Sequence, residues 1–252
     1  MQKLRKNTAA FALLAGAGLC FYACTKTTEA PSKTQVTGQA STAPAGSEAK
    51  AADKALVRFI NATPEPRDLA FGDLMIFSSV AYKTVTPYKE VPAERHEFKV
   101  SGPGMTEPLA TESEGLTAGQ HYSILAAAQP DGKITLNAIH DDLSSPPAGK
   151  AKVRVINAAP GAGSLDVYAK RADKALISGA GFGHATDYKE VDPMTTELDI
   201  RRGGSKKSEA RVTDVNLSSD KLYTVVIMGG KGQPVTAETV EDQLVGPVAA
   251  TR

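Results

Sequence analysis

The sequence predicts an all-β protein made of two tandem β-sandwich domains that follow a signal peptide and a disordered linker. Three observations predict it. The string Ala55-Leu-Val-Arg-Phe-Ile-Asn-Ala-Thr-Pro64 returns as Ala151-Lys-Val-Arg-Val-Ile-Asn-Ala-Ala-Pro160, with seven of ten positions identical. Within each copy, apolar and polar residues alternate at period two: Phe98 and Val100 with Glu97 and Lys99, Leu198 and Ile200 with Glu197 and Asp199. Turn clusters such as Gly102-Pro-Gly104, Pro130-Asp-Gly132, Gly203-Gly204 and Gly229-Gly230 separate the apolar runs, and neither copy has a stretch of helical period.

At the N-terminus, Lys3, Arg5 and Lys6 precede an uncharged stretch from Ala9 to Ala23. That is short of the ~20 apolar residues a spanning helix needs and suits a signal peptide over residues 1–23. Phe21-Tyr-Ala-Cys24 resembles a bacterial lipobox, with Phe21 where such signals usually carry Leu. The resemblance implies a lipid on the Cys24 thiol and export to a bacterial membrane, on the periplasmic side or at the cell surface. Cys20 is the other choice, but Leu19 precedes it where a small residue is expected. Residues 24–54 then form a tether of Thr, Ala, Ser, Gly, Pro and charged residues, with Val36 the only larger aliphatic side chain before Lys54. Such a segment buries too little apolar surface to offset its ordering entropy. As a coil it spans roughly 30 Å.

Residues 55–146 and 151–245 are the two repeats. Later anchors keep their order: Tyr88-Lys-Glu-Val91 with Tyr188-Lys-Glu-Val191, Leu116 and Tyr122 with Leu217 and Tyr223, Asp141 and Leu143 with Asp242 and Leu244. Ser144-Ser-Pro-Pro-Ala-Gly149 is the turn-rich junction, with a choice left open between rigid packing and a hinge at Pro146-Pro147. About seven short strands in each ~95 residues indicate a sandwich of the immunoglobulin-like or transthyretin-like size class.

Composition narrows the function classes. The formal net charge is +1, which provides no field for nucleic acid. Trp is absent and aromatics are 6%, which weakens base-stacking platforms and aromatic ligand clefts. Both cysteines, Cys20 and Cys24, precede the repeats, so the repeats have no disulfide, thiolate metal site or cysteine nucleophile. No cofactor and no metal ion are expected. His140-Asp-Asp142 looks like a ligand cluster, but its counterpart is Glu241-Asp-Gln243, and adjacent strand residues point to opposite faces.

The strings Val153-Arg-Val-Ile-Asn-Ala-Ala-Pro160, Leu165-Asp-Val-Tyr168, Phe182-Gly183 and Tyr188-Lys-Glu-Val191 resemble the bacterial "domain of unknown function 4397" family. The first copy departs from them between Asp68 and Ala81, where Leu69-Ala-Phe-Gly-Asp-Leu-Met-Ile-Phe77 stands. The resemblance implies tandem β-rich domains on exported or surface proteins. It brings no catalytic residues.

The recurring polar residues are therefore read first as structure. Arg58 and Arg154 are expected to pair with Asp141 and Asp242, or with Glu90 and Glu190, since a guanidinium suits a bidentate carboxylate contact. Tyr122 and Tyr223 are expected to form tyrosine corners, the hydroxyl reaching back to upstream backbone. Asn61 and Asn157 are read as turn residues. The expected function is a non-catalytic, lipid-anchored envelope protein. Its repeats bind, adhere or build structure, with an envelope protein or an extracellular polymer as partner. The alternative is a hydrolase using His184 with Asp187 and Ser178, although no Gly-x-Ser-x-Gly elbow is present and no histidine is matched between copies.

Overall fold

The structure, a computed structural model, describes residues 53–230 and 232–242. The expected signal peptide, Cys20, Cys24, nearly all of the expected tether and the last residues of the second repeat lie outside the described residues. Among those described there is no helix long and apolar enough to cross a membrane.

The first copy contributes β1 (Lys54–Ala62), β2 (Arg67–Phe71), β3 (Leu74–Val80), β4 (Thr84–Val85), β5 (Lys89–Pro92), β6 (Arg95–Ser101), β7 (Ala110–Gly115), β8 (His121–Ala128) and β9 (Ile134–Asp141). The second contributes β10 (Ala151–Asn157), β11 (Leu165–Ala169), β12 (Ile177–Ala180), β13 (Lys189–Val191), β14 (Met194–Arg202), β15 (Ser208–Leu217), β16 (Leu222–Gly230) and β17 (Gln233–Asp242). One sheet of the first copy has the order β4-β1-β8-β9, with β5 also on β1, and the other has β3-β2-β6-β7. The second copy repeats both, as β13-β10-β16-β17 and β12-β11-β14-β15. Its eight strands thus run 4-1-7-8 against 3-2-5-6, with the first and seventh parallel. This is the transthyretin-like division of the sandwich, unlike the ABED/CFG division of an immunoglobulin constant domain.

The parallel pairs, β1 with β8 and β10 with β16, explain the densest apolar runs in the sequence. Parallel strands are stable when both faces are covered, and these are. Ala55, Val57 and Phe59 point into the first sandwich with Tyr122, Ile124 and Ala126. Their neighbours Ile60, Ala62, Leu125 and Ala127 point the other way, onto Ile156, Ala158, Val226 and Met228 of the second copy. Ala151, Val153, Val155, Tyr223, Val225 and Ile227 line the second sandwich. The described body is thus four layers of sheet with three apolar seams, the middle one joining the copies. The junction, where the sequence leaves rigid packing and a hinge both open, is a tied-down segment. Lys152 Nζ donates to Ser144 O (3.0 Å), Gly149 N to Asp220 Oδ1 (3.2 Å), and Asp220 N to Lys150 O (2.7 Å).

The departure between Asp68 and Ala81 is a tight hairpin. β2 turns at Gly72 (φ 61°) and Asp73 directly into β3. Both copies interrupt this hairpin pairing with a bulge. Asp68 Oδ1 accepts from Ser79 N (2.6 Å) in the first copy, and Asp166 Oδ1 accepts from Gly179 N (2.9 Å) in the second. Ser79 holds φ 51° and Gly179 φ 79°. A left-handed L-residue costs roughly 1–2 kcal/mol, and glycine returns about 0.5–1 kcal/mol of that through the unfolded chain. Ser79→Gly is therefore expected to stabilise the protein by roughly 0.5–1 kcal/mol, read as a higher midpoint in urea. An unchanged or lower midpoint refutes the strain.

Candidate functional site

The recurring polar residues converge on the middle seam. Arg58 lies on β1 beside Ile60, one residue out of phase with the core-facing Val57 and Phe59, so period two turns it outward, toward the other copy. Its Nε donates to Ser123 Oγ on β8 (2.7 Å), its guanidinium lies 4.9 Å from the Tyr88 ring centroid, and its Nη1 reaches Asp242 Oδ1 of the second copy at 2.7 Å. Arg154 repeats the pattern. Nε donates to Thr224 Oγ1 (3.0 Å), the guanidinium lies 4.7 Å from Tyr188, and Nη2 donates to Asp141 Oδ1 of the first copy (2.5 Å). Tyr88 and Ser123 hydroxyls both donate to Asp141 Oδ2 (2.7 Å each), and Tyr188 and Thr224 hydroxyls to Asp242 Oδ2 (2.8 and 2.6 Å). The four charged groups are 2–3% exposed.

The structure thus brings Arg58, Arg154, Asp141 and Asp242 together, and the main pairing is reciprocal between copies. Glu90 and Glu190 take no part; both are exposed, and Glu90 faces Lys54 at 3.6 Å. The cluster is not perfectly symmetric. Arg58 Nη2 is buried with no acceptor, and Asp242 Oδ1, though close to Arg58, lacks a well-aligned donor. Ser123, Thr224, Tyr88 and Tyr188 were not anticipated as members. The signal was present: all four recur, and Ser123 and Thr224 directly follow the recurring Tyr122 and Tyr223. Tyr88 and Tyr188 open the matching Tyr-Lys-Glu-Val strings.

Protonation follows from burial and neighbours. Burial opposes the Asp141 carboxylate, but Arg154, Arg58 and the Ser123 and Tyr88 hydroxyls outweigh it and hold its pKa below the ordinary value. Burial, reinforced by Asp141 beside Tyr88 and by Asp242 beside Tyr188, pushes both phenols above theirs. Burial lowers His121, whose ring stands edge-on to Tyr88 at 5.0 Å and whose Nε2 has no partner. A depressed carboxylate stabilises fully above the unfolded pKa of ~4 and loses this as pH falls through its folded value. A depressed histidine takes up its proton first in the unfolded chain, so it destabilises below about pH 6.5. A raised phenol loses its proton first in the unfolded chain, so it destabilises above about pH 10. The denaturation midpoint is expected to peak between about pH 7 and 10 and to fall on both sides. Tyr88→Phe is expected to soften the alkaline fall.

Tyr122 and Tyr223 are 5% and 6% exposed, and each hydroxyl accepts from an upstream amide: Thr117 N at 3.0 Å and Ser218 N at 3.1 Å. Asn61 Nδ2 donates to Glu65 O and Val80 O (2.8 Å each), and Asn157 Nδ2 to Gly163 O (3.0 Å) and Ala180 O (2.9 Å). Each asparagine pins the loop after its strand.

Two clefts open beside the seam. One, of about 390 Å³, is lined by His140, Asp142, Lys152, His184, Asp187 and Tyr188, among others. Ser178 does not line it, and among the described residues the His184 ring makes no hydrogen bond to Ser178 or Asp187. The second, of about 480 Å³, lies at the opposite end of the strands. Ala62 and Ala128 mark that end of β1 and β8, and Pro160, Gly229, Gly230 and Gln233 bring in the second copy. Gly230 (φ 91°) is held there by necessity: a Cβ would stand 2.6 Å from Pro160 O.

No curated protein matches the chain. Among solved structures, the C-terminal domain of AlgF from P. aeruginosa aligns at 20% identity over 37% of this chain and 99% of that one, with a TM-score of 0.31. The family CBM26 module CBMbc from Eubacterium rectale Amy13K, solved with maltoheptaose, aligns at 11% identity over 77% of this chain and 98% of that one, with a TM-score of 0.24. Likenesses this distant carry no weight for function. The family described as "Domain of unknown function (DUF4397)" matches residues 55–168, the first copy and the second as far as Tyr168 in β11, so over that span the chain is similar to this family; the strings at Phe182-Gly183 and Tyr188-Lys-Glu-Val191 lie beyond the match.

Proposed function

We propose that the protein is a non-catalytic envelope protein, exported and lipid-anchored at Cys24 to a bacterial membrane, on the periplasmic side or at the cell surface, whose two β copies act together as one binding module. One observation carries the reading. The buried charged residues that recur in both copies are spent on joining the copies to each other, and the recurring Tyr122, Tyr223, Asn61 and Asn157 on local backbone, which leaves no recurring buried set for chemistry among the described residues. The larger cleft supports a binding role by its place. It lies beyond Ala62, whereas the chain from the tether enters β1 at Lys54, about 26 Å away along the strand. A ligand there meets the end remote from the anchor.

Metabolic acyl labelling of the wild type and Cys24→Ala tests the anchor; equal labelling of both sinks it. Cross-linking pull-down from membranes, run beside a peptide and glycan array, tests the binding role. A panel of ester, glycoside and peptide substrates tests the converse, and turnover that disappears in His184→Ala overturns the non-catalytic reading.

A further inference from the structure

We propose that the larger cleft receives the free C-terminus of a peptide with an apolar last residue, its carboxylate meeting Arg67. This rests on the reading of the chain as a binding module and names the ligand class. The central observation is a break in the duplication. Arg67 and Leu165 are structural equivalents: each opens the second strand of its copy, directly before the Asp68 or Asp166 that caps the bulge. Leu165 is wholly buried in the apolar core. Arg67, in the same place, is 6% exposed and lines the cleft. A scaffold that needs only packing here uses leucine, so the first copy holds a guanidinium in a leucine's position.

That guanidinium is incompletely partnered. Nη1 donates to Pro66 O at 3.2 Å and Nη2 faces Glu65 Oε2 at 3.0 Å, while buried Nε has no acceptor. The Glu65 side chain is 73% exposed, so this pair is screened by water and easily exchanged. An entering carboxylate offers the planar, two-oxygen acceptor that a guanidinium fork matches. The adjoining rim is apolar. Met105 is 53% exposed and Leu109 41%, two of the four large apolar side chains left exposed among the described residues, and both border this cleft. Gln129 and Gln233 border it too, and among the described residues their side-chain amides make no hydrogen bond. A primary amide both donates and accepts, which is what a peptide group requires. An alkyl carboxylate would use Arg67 and the apolar rim but leave both amides idle, so the combination favours a peptide end. A cleft of about 480 Å³ holds a few residues.

The test uses fluorescently labelled acetyl-Gly-Ser-Ala-Leu with a free carboxylate, the same peptide as its C-terminal amide, and decanoate as competitor, against the full chain. The acid peptide is expected to bind about tenfold tighter than the amide. Arg67→Leu, which copies the residue the second copy already tolerates, is expected to fold and to erase that ratio. Met105→Ser is expected to weaken both peptides and keep the ratio. Equal binding of acid and amide overturns the proposal, as does a ratio that survives Arg67→Leu, or decanoate displacing the peptide at equal concentration. If no peptide binds while the array or the pull-down captures another ligand, this inference falls and the binding-module reading stands.

Discussion

Asp141→Ala is expected to cost about 3–5 kcal/mol of stability, the range for removing one partner of a buried ion pair. Four groups lose their acceptor or counter-charge at once: Arg154 Nη2, the Tyr88 and Ser123 hydroxyls, and Arg58, whose Nε is 3.9 Å away. Two positive charges then share one carboxylate in a site largely buried from solvent. Asp242→Ala is expected to act similarly, through Arg58, Tyr188 and Thr224. The cycle Arg154→Ala with Asp141→Ala is expected to show a larger coupling energy than Arg154→Ala with Asp242→Ala, because the short contact crosses between copies. The reverse ranking, by urea denaturation, would assign the ion pairs within each copy and refute the reciprocal arrangement. Replacing all four charged residues with apolar ones of similar size is expected to cost far less than the single substitution. Breaking the pair strands a charge, whereas removing all four charges strands only neutral hydroxyls.

Leu125→Asp is expected to separate the copies without unfolding them. Leu125 is wholly buried in the middle seam, against the second copy, and an aspartate there sets a charge among apolar side chains. The cost is several kcal/mol, comparable with the whole association of the two faces. Each copy keeps its own inner seam, so the relief is to part and hydrate. Small-angle scattering is expected to show a larger radius of gyration, urea a second transition, and protease a new cut between Asp142 and Lys150. Ile124→Asp is the matched control, one residue along the same strand but facing the first sandwich. It is expected to abolish folding of the first copy. Identical behaviour of the two variants would mean that the copies do not have separable cores.

The contrast between these neighbouring residues marks how far the sequence is legible. Alternation at Phe98–Val100 and Leu198–Ile200 identifies strands with one buried face. The runs at Leu56–Ile60 and Tyr122–Leu125 show dense apolar character, but not that the second face is covered by the other copy. Continuous apolar strands look alike whether a partner domain, a second sheet or another chain covers them. The joint cluster was half legible, since recurrence singled out Arg58, Arg154, Asp141 and Asp242. The cleft was not legible at all, because Arg67, Met105 and Leu109 do not recur and carry no motif. Arg67 stands out only when the register places it on Leu165.

By itself the sequence determined the duplication, the all-β character and which charged residues recur. Local pattern suffices for these, because side-chain period and turn chemistry act over a few residues. Only the tertiary structure decided which partner each charge takes. In a duplicated chain Arg58 has two equivalent aspartates, Asp141 and Asp242, and nothing local distinguishes them. The packing of two outer sheet faces, one from each copy, breaks that degeneracy and sends each arginine to the other copy.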